Sequence, residues 1–159
     1  MIKQAALFLA LSLGCGALRQ LAPNGLSWMG RWPTSSTSAQ EAYTMMTQEG
    51  DPAFVDLATA IRLEESKAAF FIDARSLADY KAGHVPGARS LPFYELDTTR
   101  EKALAGLPMD SPLVLYCEGI DCELSIFLGR ELKKFGYTNL KIFYGGAPEW
   151  KNAGLRMEK

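Results

Sequence analysis

Two cysteines, at positions 117 and 122, have the residue type and spacing that could carry chemistry. Four residues separate them: Glu118, Gly119, Ile120 and Asp121. A cysteine between a strand end and a helix start lies near open backbone N–H groups, which together with the helix dipole stabilise the nucleophilic thiolate. Gly119 lets such a loop curl without steric cost. Cys117 is therefore a candidate nucleophile, and a buried, inert pair of cysteines is the alternative.

The elements around this loop alternate between strand and helix. Short apolar runs predict buried strands over 69–73, 112–116 and 140–144. Helical spacing of apolar residues predicts helices over 56–63, 76–82 and 124–135, near Thr99–Leu107 and around Trp150. Apolar strands that alternate with helices imply an α/β fold, with a mostly parallel sheet covered by helices on both faces. Ligands bind at the carboxyl ends of such strands, where the 117–122 loop begins.

Three segments resemble the rhodanese-like (sulfurtransferase) domain family. The first is Ile72-Asp73-Ala74-Arg75, followed at 80–88 by Tyr-Lys-Ala-Gly-His-Val-Pro-Gly-Ala. The second, Leu-Tyr-Cys-x-Gly at 115–119, is similar to the family's strand and active loop. The third, Gly-Gly-Ala-Pro-Glu-Trp at 145–150, is similar to its closing motif. The resemblance implies a single rhodanese-like domain over residues 52–159.

The resemblance also implies a sulfurtransferase in which Cys117 holds sulfane sulfur as a persulfide. A small donor would supply the sulfur, and cyanide, a thiol or a protein cysteine would accept it. Backbone N–H groups of 118–122 would surround the persulfide, while Asp73 and Arg75 would brace the loop. His84 would pack in the turn rather than act as a base. No cofactor is implied, and Cys117, Cys122 and His84 do not offer four well-spaced ligands for a structural metal.

The loop departs from the family pattern in its charge. Rhodaneses that use thiosulfate commonly carry basic residues here, whereas this chain has Glu118, Asp121 and Glu123. Like charges about 5 Å apart repel by roughly 3 kcal/mol at an effective dielectric constant near 20. We therefore expect a donor less anionic than the thiosulfate dianion. A phosphatase-type Cys-x5-Arg site is excluded because position 123 is Glu.

Cys122 is the second departure, since a basic or hydroxyl residue is common at this last loop position. It could resolve a persulfide or an oxidised Cys117 by forming a disulfide, or it could be a helix N-terminal cysteine without a role. The functional alternative to sulfur transfer is thus a non-catalytic rhodanese-like binding module, or a Cys117/Cys122 redox module.

The charge distribution divides the chain into a basic leader and an acidic remainder. Of the 17 basic and 18 acidic residues, three basic ones and no acid lie in residues 1–40, which leaves 14 − 18 = −4 for residues 41–159. This balance excludes a strongly basic nucleic-acid binder. The apolar run 5–18 predicts that residues 1–33 are a signal peptide or membrane anchor, with lipidation of Cys15 as a variant. Residues 34–51 are predicted to be a flexible linker, and the protein to be exported or anchored in a bacterial periplasm or cell envelope.

Overall fold

A five-stranded sheet organises residues 38–120 and 122–159, the part of the chain that the computed structural model describes. Its strands are β1 (Ala53–Phe54), β2 (Phe70–Asp73), β3 (Arg89–Ser90), β4 (Leu113–Tyr116) and β5 (Leu140–Phe143). The helices are α1 (Ala39–Met46), α2 (Leu57–Glu65), α3 (Leu77–Ala82), α4 (Leu96–Ala103), α5 (Leu124–Lys134) and α6 (Gly146–Asn152). The strand order is β1-β5-β4-β2-β3, and every pairing is parallel. The fully buried β4 therefore lies at the centre.

Each face of the sheet buries its own apolar cluster, because successive side chains of a strand point to opposite faces. Leu115 and Ile142 belong to the cluster that includes residues of α1, α4 and α5. Val114 and Phe143 belong to the cluster that includes residues of α2, α3 and α6. The predicted α/β fold, with a parallel sheet between helices on both faces, is confirmed.

Helix boundaries follow the capping residues in the sequence. The Asp56 carboxylate accepts the Thr59 N–H at 2.8 Å at the start of α2, and the Ser76 hydroxyl accepts the Asp79 N–H at 3.1 Å at the start of α3. Gly136 follows the end of α5 with φ +95°, a conformation that glycine adopts readily. Helix α4 begins at Leu96, directly after a 3₁₀ turn over Phe93–Glu95, three residues before the predicted helical stretch.

Helix α1 corrects the prediction of a flexible linker over 34–51. Ser38 and Glu41 form a reciprocal capping box at its start, and the buried Tyr43 packs edge-to-face on Tyr144. The linker prediction rests on the run Thr-Ser-Ser-Thr-Ser at 34–38, which has no apolar residue to bury, whereas α1 buries Ala42 and Tyr43. The folded part thus includes residues that were assigned to the linker.

The leader over residues 1–33 stays a prediction. Residues 34–37 of the linker, and residues 1–33 with the apolar run 5–18 and Cys15, lie outside the described residues. Among the residues that are described, no helix is both long and apolar enough to span a membrane.

Candidate active site

Cys117 lies at the carboxyl end of the central strand β4, and its side chain has no solvent exposure. Its carbonyl oxygen accepts the N–H of Ala147 at 3.0 Å, which ties the start of the loop to α6. The N–H of Cys122 donates to the Gly119 carbonyl at 2.9 Å and closes the loop before α5. Asp121 lies outside the described residues, and Ile120 is exposed.

The approach of α6 to this loop requires glycine. A Cβ atom on Gly146 would lie 2.2 Å from the Cys117 carbonyl oxygen, and the residue has φ +62°. A Cβ atom on Gly119 would lie 3.2 Å from the Gly145 carbonyl oxygen, at φ +108°. The absence of a side chain at Gly119 and Gly146 therefore lets the loop lie against the start of α6.

The Cys117 thiol contacts polar groups of the helix that follows the loop. Its Sγ atom lies 2.8 Å from the carbonyl oxygen of Cys122 and 3.6 Å from Oγ of the buried Ser125. Hydrogen bonding to the Cys122 side chain and burial both raise the pKa of Cys117, because they favour the neutral thiol. The Ser125 hydroxyl and backbone N–H act in the opposite direction and favour the thiolate. Stabilisation of a Cys117 thiolate or persulfide by the N–H groups of 118–122 stays a prediction.

Cys122 is half-buried at the end of the loop. Hydrogen bonding to the Cys117 side chain and to the backbone N–H groups of Glu118 and Leu124 favours the Cys122 thiolate. These donors, with the Cys117 bond the largest, lower the pKa of Cys122 to about 6, although burial and the Glu118 carboxylate oppose the shift. The surroundings of the pair thus favour the thiolate at Cys122 over the thiolate at Cys117.

Arg75 connects the loop to the end of β2. It makes a two-pronged ion pair with the fully buried Asp73, at 3.0 Å from Nε to Oδ1 and 2.7 Å from Nη2 to Oδ2. Its Nη1 lies 3.2 Å from Oε2 of Glu118, and its Nη2 donates to the Gly83 carbonyl at 2.7 Å. The Glu118 carboxylate is therefore partly compensated by a cation that lies far from it in the sequence.

A cavity of about 580 Å³ lies beside the loop. Its lining includes three cations and two carboxylates: Arg75, Lys151, Lys159, Asp79 and Glu118. The acidic residues of the loop are evident in the sequence, whereas these lysines were not predicted, because Lys151 of α6 and Lys159 come from other parts of the chain. Lys151 could have been found from the sequence, because it directly follows the Gly-Gly-Ala-Pro-Glu-Trp segment at 145–150.

Ser125 and His84 complete the comparison with the predicted site. Ser125 was missed, although a serine among the apolar residues of a predicted amphipathic helix indicates a buried polar group with a specific partner.

His84 is buried in the turn, stacked on Tyr80 with ring centroids 3.8 Å apart, and its Nδ1 lies 2.9 Å from the Tyr80 carbonyl oxygen. These contacts give the His84 ring a packing role in the turn, as the sequence predicted.

Comparisons with known proteins give consistent matches. The family model described as "Rhodanese-like domain" matches residues 38–153. The HTH-type transcriptional regulator Rv0324 of Mycobacterium tuberculosis is 32% identical over 102 residues, which are 64% of this chain and 43% of that protein. The uncharacterized protein YqhL of Bacillus subtilis is 30% identical over 82 residues, 50% of this chain and 58% of that protein. The chain thus spans about half the length of these curated relatives.

Solved structures show the same fold. The human single-domain sulfurtransferase TSTD1 aligns with TM-score 0.56 and 26% identity, over 65% of this chain and 97% of that one. A form of EanB that carries a cysteine persulfide, solved with ergothioneine, aligns with TM-score 0.58 and 25% identity over 67% of this chain and 28% of that one.

Proposed function

This chain belongs to the rhodanese-like domain family, and from that premise we propose that it is a sulfurtransferase that moves sulfane sulfur through a persulfide on Cys117. The observation that carries the proposal is the placement of Cys117 at the carboxyl end of the central parallel strand, in a loop that closes onto a helix start. The sulfurtransferase and the persulfide-bearing enzyme among the structural neighbours support it.

The transfer has two nucleophilic steps. The Cys117 thiolate attacks the outer sulfur of a donor persulfide, R–S–SH, so that a new S–S bond forms and R–S⁻ leaves. A thiol or cyanide then attacks the outer sulfur of the Cys117 persulfide, takes the sulfur and returns the thiolate. Because Cys117 is fully buried, the loop 118–122 must move to admit the donor, and the thiol loses its proton to water as it becomes exposed.

We propose that the donor is less anionic than thiosulfate, such as a low-molecular-weight persulfide or a persulfidated protein. The Glu118 side chain is 61% exposed beside the cavity, and Arg75 already has two carboxylate partners. That cation is therefore not free to neutralise a dianion. Lys151 and Lys159 line the same cavity and suit the single carboxylate of an amino-acid persulfide.

Thiocyanate formation from cysteine persulfide and cyanide tests this proposal in the full chain. We expect Cys117→Ser to abolish turnover, and Cys15→Ser, which changes a cysteine outside the domain, to keep it. Turnover that survives in Cys117→Ser, or that is absent from the unsubstituted protein with persulfide donors, would contradict the proposed function. In the second case the non-catalytic binding module becomes the better interpretation.

A further inference from the structure

We propose that Cys122 is a resolving thiol, which attacks the Cys117 persulfide, expels hydrosulfide and leaves a disulfide between the two cysteines. This inference rests on the proposed function, because it needs a persulfide on Cys117. It assigns a further catalytic residue and a product, hydrosulfide, to the same site.

The first support is proximity. The Cys117 Sγ atom lies 2.8 Å from the backbone carbonyl oxygen of Cys122, so the first thiol is in direct contact with the second cysteine residue. A disulfide requires its two Cα atoms to be about 4.4–6.8 Å apart. Gly119, at φ +108°, supplies the backbone freedom that so short a loop needs when its end residues are joined.

The second support is the difference between the two environments. Cys117 is fully buried among apolar residues of one face of the sheet, whereas Cys122 is half-buried and faces the N–H groups of Glu118 and Leu124. Hydrogen bonding lowers the pKa of Cys122 and so favours its thiolate, whereas the pKa of Cys117 is raised. Of the two cysteines, Cys122 is thus the better nucleophile in the reduced pair, and its backbone lies against the Cys117 thiol.

The step balances without any further oxidant. The Cys122 thiolate attacks Sγ of the Cys117 persulfide, a Cys122–Cys117 S–S bond forms, and the bond to the outer sulfur breaks. The outer sulfur takes the electron pair and leaves as HS⁻. The two cysteine sulfurs are oxidised together by two electrons, and the sulfane sulfur is reduced to sulfide. Two external thiols, or one dithiol, then reduce the disulfide and restore the starting pair.

External acceptors and Cys122 therefore compete for the same persulfide. A strong acceptor at the cavity receives the sulfur directly, while without one the domain releases hydrosulfide once and stops as the disulfide. The supply of reducing thiols then sets how often hydrosulfide is released.

The test uses the full-length Cys15→Ser protein as the parent, so that only Cys117 and Cys122 react. The reduced parent and its Cys122→Ser and Cys122→Ala derivatives receive one equivalent of cysteine persulfide without added thiol. Released sulfide is measured over time, and intact mass distinguishes the gain of one sulfur from the loss of two hydrogens. We expect the parent to release about one equivalent of sulfide and to lose two hydrogens.

Both Cys122 derivatives should keep the added sulfur, with sulfide release slower by more than about tenfold. Use of two different substitutions separates the loss of the nucleophile from a folding defect. If parent and derivatives keep the persulfide equally long, or release sulfide equally fast, the resolving role is wrong while the proposed function stands. If neither the parent nor the derivatives gain sulfur, the proposed function fails, and the resolving role fails with it.

Discussion

At the scale of single residues, Glu118 should determine which donors the site accepts. Its carboxylate is exposed beside the cavity and occupies Arg75. Glu118→Gln removes one negative charge and releases Nη1 of Arg75, whose other contacts to Asp73 remain. We therefore expect kcat/KM for thiosulfate to rise about tenfold, the effect of roughly 1.4 kcal/mol. Steady-state thiocyanate assays with thiosulfate and with cysteine persulfide measure this change.

The matched control is Glu131→Gln, which removes the same charge at a position about two turns into α5, away from the loop. It should leave both donors within about twofold of the parent. Equal gains from the two substitutions would show that overall charge, rather than the Glu118–Arg75 pair, controls donor preference.

The two thiols should differ in their reactivity toward an alkylating reagent. Because Cys122 has a pKa of about 6 and is half-buried, it is mostly thiolate at pH 7, whereas Cys117 is a buried thiol with a raised pKa. We expect iodoacetamide to modify Cys122 more than about tenfold faster than Cys117. The Cys122 rate should rise with pH through about 6 and then level off. Peptide mass mapping of the native protein follows both sites, and faster modification of Cys117 would contradict this order.

The location of the candidate site could be predicted from short motifs. The spacing of the two cysteines indicates the 117–122 loop, and the family resemblance implies Asp73 and Arg75 as its supports; Arg75 contacts Glu118 of this loop. Which cysteine faces the N–H donors could not be predicted, because it depends on the direction of each side chain in a short loop rather than on spacing.

At the scale of elements, the contact between α6 and the loop should depend on Gly146. An alanine there would put its Cβ atom against the Cys117 carbonyl, and φ is positive as well, so we expect Gly146→Ala to cost more than about 2 kcal/mol of unfolding free energy. Gly154→Ala is the control, since it also has positive φ but no atom lies within 4 Å of its Cβ position. It should cost about 1 kcal/mol. Urea denaturation compares the two, and equal losses would contradict the proposed close approach.

The ion pair that connects α5 to the segment after α1 should stabilise the fold in a pH-dependent way. Arg130 donates two hydrogen bonds to Asp51, at 2.8 and 2.7 Å, and these bonds lower the pKa of the Asp51 carboxyl. A lowered pKa in the folded state means that the stabilisation is complete above the unfolded value of about 3.9 and is lost progressively as pH falls from there through the folded-state pKa. We expect Asp51→Asn to cost about 1–3 kcal/mol at pH 7 and less near pH 3.

Denaturant titrations at the two pH values measure this difference. The control, Glu131→Gln, breaks the more exposed pair with Lys134 and should cost less than about 1 kcal/mol at either pH. A cost for Asp51→Asn that does not change between pH 7 and pH 3 would contradict the role of the ion pair.

Elements were predicted where their pattern is long enough to detect. The buried strands β2, β4 and β5 and the capped helices α2, α3 and α5 follow from apolar runs and capping residues. The edge strands β1 and β3 have two residues each, too few for a pattern of alternation. Helix α1 was missed because only Ala42 and Tyr43 of its residues are buried.

At the scale of the whole molecule, folding changes the electrostatics of the site. The chain has an acidic loop in sequence, yet Arg75, Lys151 and Lys159 line the cavity beside that loop. This mixture of charges depends on the tertiary fold. Its cations come from the segment after β2, from α6 and from residue 159, so local sequence patterns do not predict it. Export or membrane anchoring through residues 1–33 stays a prediction from the apolar run and the charge asymmetry.

The central claim is that this chain carries sulfane sulfur on Cys117. Its most direct test is to load the full-length Cys15→Ser, Cys122→Ser protein with one equivalent of cysteine persulfide, trap it by alkylation and map the modified peptides by mass spectrometry. We predict one additional sulfur on the peptide that contains Cys117, which disappears when cyanide is added. A protein that gains no sulfur, or sulfur that stays bound in the presence of cyanide, would contradict the account.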